Sequence, residues 1–267
     1  MDTIFIAVFS VTLVGASCAA MLCIASKIMH VKIDERIALL TEAMPGVNCG
    51  ACGYPGCSAY AEALLADSGV KATLCPPGGA ELVAKISAVL GVEAEAIVPK
   101  TAVVRCLGDT GAQQKKMAYK GVQTCEAAKR LFGGEGACAF GCLGYGDCQI
   151  VCPTNAVCME DSLAHIKMEL CTGCGLCVKV CPNKLISIEN ADIPVAVLCS
   201  SIEKGGIVRK KCSSGCIACN KCVKECPDEA IVMQENLASI DYGKCSGCGR
   251  CVEVCITKCI RPVKKTA

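Results

Sequence analysis

Cysteines recur in this chain at fixed intervals, and that recurrence constrains the fold more than any other feature. Shifted by 74 residues, Cys125, Cys138, Cys142, Cys148, Cys152, Cys171, Cys174, Cys177 and Cys181 fall on Cys199, Cys212, Cys216, Cys222, Cys226, Cys245, Cys248, Cys251 and Cys255. Each unit is itself doubled at an offset of 29, because Cys216, Cys219, Cys222 and Cys226 map onto Cys245, Cys248, Cys251 and Cys255. In the first unit Cys142, Cys148 and Cys152 map onto Cys171, Cys177 and Cys181, and Tyr145 stands where Cys174 predicts a cysteine. A repeat of this kind means duplicated structural units.

With 28 cysteines in 267 residues, the candidates are a disulfide scaffold, zinc sites or iron–sulfur clusters. Only 3% of residues are aromatic and there is no Trp, so no large conventional core is expected. The formal charge of +2 gives no reason to expect nucleic acid as a partner.

Thr3 to Ser26 carry no charged side chain and are rich in Ile, Val, Leu and Ala. A helix of this length crosses a hydrocarbon core of about 30 Å. The preceding charge is Asp2, whereas a cleaved signal peptide carries a basic start, so the segment reads as a retained anchor. Lys27, Lys32 and Arg36 follow it, which by the positive-inside rule places the rest in the cytoplasm. Persistent disulfides are rare there. Cys18 and Cys23 within the run read as small apolar residues of a membrane helix.

Cys171–Cys181, Cys216–Cys226 and Cys245–Cys255 each read C-x2-C-x2-C-x3-C, with Pro182 and Pro227 after the fourth cysteine of the first two. This is the spacing of bacterial two-cluster ferredoxins, in which the fourth Cys ligates the other cluster. Zinc knuckles use paired C-x2-C motifs instead. The expected sets are Cys216, Cys219, Cys222 and Cys255; Cys245, Cys248, Cys251 and Cys226; and Cys171, Cys174, Cys177 and Cys152. For the remaining set Cys138 is expected to replace the ligand lost at Tyr145, giving Cys138, Cys142, Cys148 and Cys181; the alternatives are a three-cysteine or empty site. Ile256, not Pro, follows Cys255, which puts the geometry of that turn in question.

Cys49, Cys52, Cys57 and Cys75 form a separate C-x2-C-x4-C-x17-C set, read as a single [4Fe–4S] site with all-thiolate zinc as the alternative. Five clusters take 20 cysteines and leave Cys18, Cys23, Cys106, Cys125, Cys158, Cys199, Cys212 and Cys259, most of them expected as buried free thiols, with a sixth cluster from Cys106 and Cys125 and partners elsewhere as the alternative. Cys125 and Cys199 occupy equivalent repeat positions and are expected to share a packing role. An oxidised cube with four thiolates carries about −2, so five move the formal charge to about −8.

No other chemistry competes. His30 and His165 sit in unrelated contexts, no G-x-x-x-x-G-K-[ST] loop occurs, and Gly133–Gly136 read as a turn. Lys100, Arg105, Lys115, Lys116, Lys120, Lys129 and Arg130 form either a docking face for an acidic electron carrier or a solvated helix face. Fully capped clusters perform no substrate chemistry, so the chain reads as a relay serving a partner with a two-electron centre.

The anchor, the Asn48–Cys57 loop with Cys75, the segment Gly136–Pro153 and the C-x2-C-x2-C-x3-C-P runs resemble the iron–sulfur B subunit of the Rnf electron-transport complex. The resemblance implies a component of a membrane ferredoxin:NAD oxidoreductase coupled to Na⁺ or H⁺ translocation. It also implies that electrons come from reduced soluble ferredoxin and pass to other subunits. The alternatives are a relay to another acceptor, such as a hydrogenase or a redox regulator, and, in a different class, a cysteine-rich metal-storage or structural protein.

The expected fold is α+β: a transmembrane helix (1–26), a linker (27–47), a single-cluster domain (48–98), a connecting region (99–137), a first 2[4Fe–4S] ferredoxin module (138–190), a connecting segment (191–211) and a second module (212–267). Helices are expected at Ser58–Asp67, Glu81–Leu90 and Val122–Phe132, and short strands at Ile186–Ile188 and Ile231–Met233.

Overall fold

The computed structural model describes residues 2–28, 34–93, 96 and 98–263. His30 and Lys32 lie outside the described residues. The chain divides into two units, Met1–Leu39 and Leu40–Ala267. In the first, α1 (Asp2–Ile28) is one uninterrupted helix. Its stretch Val8–Lys27 has the length and apolar composition to cross a membrane, and large side chains such as Phe5, Phe9, Val11 and Leu22 have no protein cover.

Helix α2 (Glu35–Ala43) leads from there and buries Leu40 completely. Helices α3 (Cys57–Ala66) and α4 (Gly79–Leu90) follow, linked through a 3₁₀ turn at Pro76–Gly78. Leu82, Val83 and Ile86 line the inner face of α4 at helical spacing, and Gly91 ends it in the left-handed conformation.

The rest is built from four two-stranded antiparallel sheets. Strand β1 (Lys100–Val104) precedes α5 (Cys125–Arg130), α6 (Asp147–Ile150), β2 (Val157–Glu160), β3 (Leu163–Ile166), α7 (Leu176–Val180) and β4 (Ile186–Asn190). After β5 (Val195–Val197) and α8 (Gly205–Lys211), the order α9 (Lys221–Lys224), β6 (Ile231–Gln234), β7 (Leu237–Ile240), α10 (Arg250–Glu253) and β8 (Ile260–Pro262) repeats α6 to β4. Each module pairs its two central strands, β2 with β3 and β6 with β7. Each also closes its last strand onto one from outside the cysteine repeat, β4 onto β1 and β8 onto β5.

The modules therefore begin earlier than the cysteine spacing predicts. The expected connecting regions 99–137 and 191–211 supply β1 and β5, which are integral to the two cores. Five- and three-residue strands carry too little alternation to stand out in sequence, and only their partners make them strands. The expected helix at Val122–Phe132 is shorter, with Thr124 accepting the Ala127 N–H as its N-cap and Phe132 already at positive φ.

The two cores share nine equivalent buried positions, with Leu163 added in the first and Cys216 in the second. One packs Ala102, Val104, Cys106, Cys148, Val157, Ala164, Cys177, Leu185 and Ile186. The other packs Val195, Val197, Cys199, Cys222, Ile231, Ala238, Cys251, Cys259 and Ile260. From Cys148 onward the two sets differ by 74, but the first strands differ by 93, since Cys106 corresponds to Cys199. Neither core contains an aromatic residue.

The backbone repeats as faithfully. Three residues after each fourth cysteine stands a left-handed residue: Asn155 (φ 53°), Lys184 (52°), Glu229 (49°) and Lys258 (52°). Lys258 adopts the same turn although Ile256 replaces the proline, so proline is dispensable for that geometry. Gly173 (φ 67°) brings its cluster loop onto β1, where an added Cβ would stand 2.8 Å from the Lys100 carbonyl oxygen. Gly249 has a similar φ of 78° but open space around it. Gly249→Ala should cost about 1 kcal/mol from left-handed strain alone, and Gly173→Ala about 2–4 kcal/mol because the backbone contact adds to it. Anaerobic guanidinium denaturation followed by visible absorption checks the ranking; equal midpoints would show that the loop does not press on β1.

Candidate iron–sulfur centres

Four of the expected thiol sets come together. In the first loop, Asn48 sits at positive φ and its Oδ1 accepts the Cys57 N–H at 2.8 Å, folding the loop back on itself. Burial pushes the Cys75 thiol up, and Cys52, Cys49 and Cys57 are close enough to raise it further. Tyr60, fully buried, donates to the Lys71 carbonyl at 2.7 Å and so ties α3 to the segment that delivers Cys75. The Lys179 Nζ on α7 donates to the Cys49 carbonyl at 3.5 Å, seating this loop beside the first module.

Within the modules burial pushes Cys177 up to about 11, with Cys171, Cys174 and Cys152 adding to it. Cys222 is likewise pushed up to about 11 by burial and by Cys216, Cys219 and Cys255. Burial raises Cys251 as well, with Cys245, Cys248 and Cys226 around it. These are the three sets the C-x2-C-x2-C-x3-C spacing anticipates, with the fourth cysteine exchanged between half-units. Cys216, Cys219, Cys222 and Cys255 line a small apolar cavity.

The leading site of the first module differs from expectation. Its small apolar cavity is lined by Cys142, Cys148, Cys181 and Cys125. Burial pushes Cys148 up to about 12, with Cys142, Cys125 and Cys181 contributing. Cys138 does not line it and stands in a neighbouring cavity with Cys106, Cys199 and Cys212. The reason lies in the anchoring of α5. Asp147, which opens α6, accepts the Cys125 and Glu126 N–H groups at 3.0 and 3.2 Å, so the start of α5 is pinned to the cluster loop. The shared packing role expected for Cys125 and Cys199 is also replaced: they line different cavities, and the spatial counterpart of Cys199 is Cys106.

The donor set fits cubanes. Among the described residues no group of three His, Cys, Asp or Glu side chains converges tightly enough for a single metal ion. Thiolates on a cubane stand farther apart than thiolates on one zinc, each bonded to a different iron. Backbone N–H groups point at sulfur in a repeated pattern: Ala156 to Cys152 (3.3 Å), Leu185 to Cys181 (3.4 Å) and Ala230 to Cys226 (3.3 Å). The Ala102 N–H of β1 reaches Cys171 Sγ at 3.3 Å. Such bonds favour the anionic sulfur and are a main lever on cluster potential.

Several expected features carry no site chemistry. Arg105 pairs with Glu189 at 2.6 Å, Lys115 with Glu135 at 3.0 Å and Arg130 with Glu126 at 2.8 Å, so much of the basic stretch is engaged locally. His165 lies in β3, and its carbonyl and Glu160 face the Cys158 thiol. Gly133 and Gly134 form a left-handed turn.

Three family matches describe the same regions. An Fe–S cluster family covers residues 44–77, the 4Fe-4S binding domain 164–187 and the 4Fe-4S dicluster domain 215–259. Together with the paired-strand modules and the crossed thiol sets, these define a multi-cluster iron–sulfur protein of the bacterial ferredoxin type. The B subunit of the Na(+)-translocating ferredoxin:NAD(+) oxidoreductase complex of Acetobacterium woodii is 39% identical over 240 residues, spanning 90% of this chain and 72% of that protein. The proton-translocating counterpart of Clostridium ljungdahlii is 40% identical over 260 residues, spanning 97% and 91%. The B subunit of the ion-translocating oxidoreductase complex of Methanosarcina acetivorans is 40% identical over 247 residues, spanning 92% and 93%. The chain belongs to the B subunit family of the Rnf-type ion-translocating oxidoreductase complexes.

Cys259 escapes spacing rules, because its repeat counterpart is Leu185. It is 2% exposed, its Sγ lies 3.6 Å from Cys255 Sγ, and its side chain is hydrogen-bonded to Cys216 and Cys255. That hydrogen bonding holds the Cys216 and Cys255 thiols below the usual thiol range. Cys259→Leu should leave the cluster count unchanged and lower the potential of that centre by up to roughly 40 mV, since a hydrogen bond of about 1 kcal/mol then no longer favours the reduced state. Redox titration monitored by electron paramagnetic resonance measures the shift; loss of the centre would mean Cys259 is a ligand instead.

Proposed function

We propose that this chain is the membrane-anchored iron–sulfur relay of an Rnf-type ferredoxin:NAD oxidoreductase, accepting electrons from reduced ferredoxin and passing them to the other subunits of an ion-translocating complex. The observation that carries the reading is the gathering of five thiol tetrads in one compact unit. Bound there, a [4Fe–4S] cluster supplies a reversible one-electron site. The protein's own part is to hold the thiolates, exclude water and set potentials through N–H donors.

Five tetrads are assigned: Cys49, Cys52, Cys57 and Cys75; Cys125, Cys142, Cys148 and Cys181; Cys152, Cys171, Cys174 and Cys177; Cys216, Cys219, Cys222 and Cys255; and Cys226, Cys245, Cys248 and Cys251. Cys125 takes the place expected of Cys138, supported by its position in the leading cavity. No tetrad leaves an iron without a cysteine, so substrate chemistry belongs to a flavin-bearing partner. The anchor passes the membrane once, and Lys27 and Arg36 favour the cytoplasmic side for the soluble part. That side is where soluble ferredoxin is found.

The contact of the Cys49 loop with α7 supports an electron path from the modules into the single-cluster loop and on to the membrane partners. Cys49→Ser with Cys52→Ser should reduce transfer to the membrane acceptor by at least about 100-fold while ferredoxin still reduces the remaining centres. Stopped-flow reduction, followed separately from acceptor turnover, distinguishes the steps; unimpaired turnover would remove this loop from the path. Cys125→Ala should lose one cluster, about four irons and four sulfides per chain. An unchanged iron content in that variant returns the ligand role to another side chain.

A further inference from the structure

A pocket lies where the two ferredoxin modules meet, similar in size to the two cluster pockets described above. Four cysteines outside the five tetrads line it: Cys106, Cys138, Cys199 and Cys212. They come from four separate segments, two in each module. Cys106 and Cys199 each follow the first strand of their module by two residues, β1 ending at Val104 and β5 at Val197. Cys138 and Cys212 each precede the leading cluster loop by four residues, ahead of Cys142 and Cys216. The set is thus two copies of one pair brought face to face. Cys138 lies within electrostatic reach of Cys106, Cys199 and Cys212, and Cys212 within reach of Cys199.

The sulfurs are prepared as those of the modules are. Cys106 Sγ accepts the N–H groups of Gly108 at 3.3 Å and Cys142 at 3.4 Å, and Cys199 Sγ accepts the Cys216 N–H at 3.3 Å. Cys106, Cys199 and Cys212 are each buried to within 9% exposure. The seam around them is stitched from both sides: Ser200 Oγ donates to the Arg105 carbonyl at 2.9 Å, Gln114 N–H to Lys211 at 2.9 Å and Ser213 N–H to Ala112 at 3.0 Å. Four thiols that only packed would not need N–H donors aimed at sulfur. As at the other centres, no three of them converge on a point a single ion could fill.

We infer that Cys106, Cys138, Cys199 and Cys212 bind a sixth [4Fe–4S] cluster that joins the two ferredoxin modules. The inference goes beyond the five-cluster reading and rests on it only for the identity of the two neighbours. The same residues that offer N–H groups to this site, Cys142 and Cys216, are ligands in the leading tetrads of the first and second modules. One residue therefore separates the sixth centre from a cluster on either side. It gains one electron as one neighbour is oxidised and loses one as the other is reduced, with no bond made or broken. The modules become a single continuous path rather than two wires side by side.

Native mass spectrometry of the anaerobically purified full-length chain should show about six [4Fe–4S] masses, or about 24 irons. Cys106→Ala with Cys199→Ala should remove one cluster, four irons and four sulfides, and slow electron equilibration between the modules, leaving the remaining paramagnetic signals in place. An unchanged cluster mass in that variant, or the loss of a zinc ion in its place, overturns the inference. If the double variant does not accumulate, the wild-type mass decides: six clusters uphold the site and five overturn it. Cys75→Ala tests the five-cluster reading separately, because it must lose a cluster whatever the seam binds.

Discussion

A thiolate held by backbone N–H groups is the interaction on which the rest of this structure depends. The modules have no aromatic residues in their cores and sheets of only two strands, and a fold so poor in apolar area would be marginal alone. The chain answers with a repeated turn. The residue three places after each fourth cysteine goes left-handed, and the next N–H then swings onto that cysteine's sulfur, as seen at Cys152, Cys181 and Cys226. Local backbone geometry, ligand placement and the start of the following strand are a single event. Metal and fold are coupled in such an arrangement.

What could be read from the sequence was what the repeat encodes. Three complete half-units at 29 and 74 residues anticipate which thiols gather around Cys177, Cys222 and Cys251, the fourth cysteine of each set coming from the other half-unit. The apolar run and the helices around Cys57–Ala66 and Gly79–Leu90 were legible because periodicity and length are local properties. Strands β1 and β5 were not, since three to five residues acquire meaning only from the strand they pair with. The first module's leading cavity is harder to read from the sequence for a related reason. The nearest unassigned cysteine, Cys138, was the natural substitute along the chain, but the side chain in the cavity comes from α5, positioned by Asp147 twenty-two residues further on.

The same geometry explains an accidental agreement in the repeat. Cys125 and Cys199 match at the 74-residue shift, yet their places in the fold differ. Cys106 is the true counterpart of Cys199, and it precedes Cys138 by 32 residues where Cys199 precedes Cys212 by only 13. The first unit therefore carries 19 additional residues between these landmarks. That insertion delivers Cys125 to the half-unit in which Tyr145 stands at a ligand position. The longer stretch and the position without a thiol belong to the same half-unit, a coincidence visible only once the strands are paired.

The inserted stretch is closed at its own base. Lys115 faces Gly136 in an isolated antiparallel bridge, Lys116 N–H donates to the Glu135 carbonyl and Ala137 N–H to that of Gln114. Because both stems are clasped together before the excursion begins, its length is felt only weakly by the module that hosts it, the entropy of closing a loop rising slowly with size. Such a clasp turns a ferredoxin half-unit into a socket: segments of different length can be spliced at one point, each bringing its own side chain to the cavity, while the surrounding scaffold keeps its register.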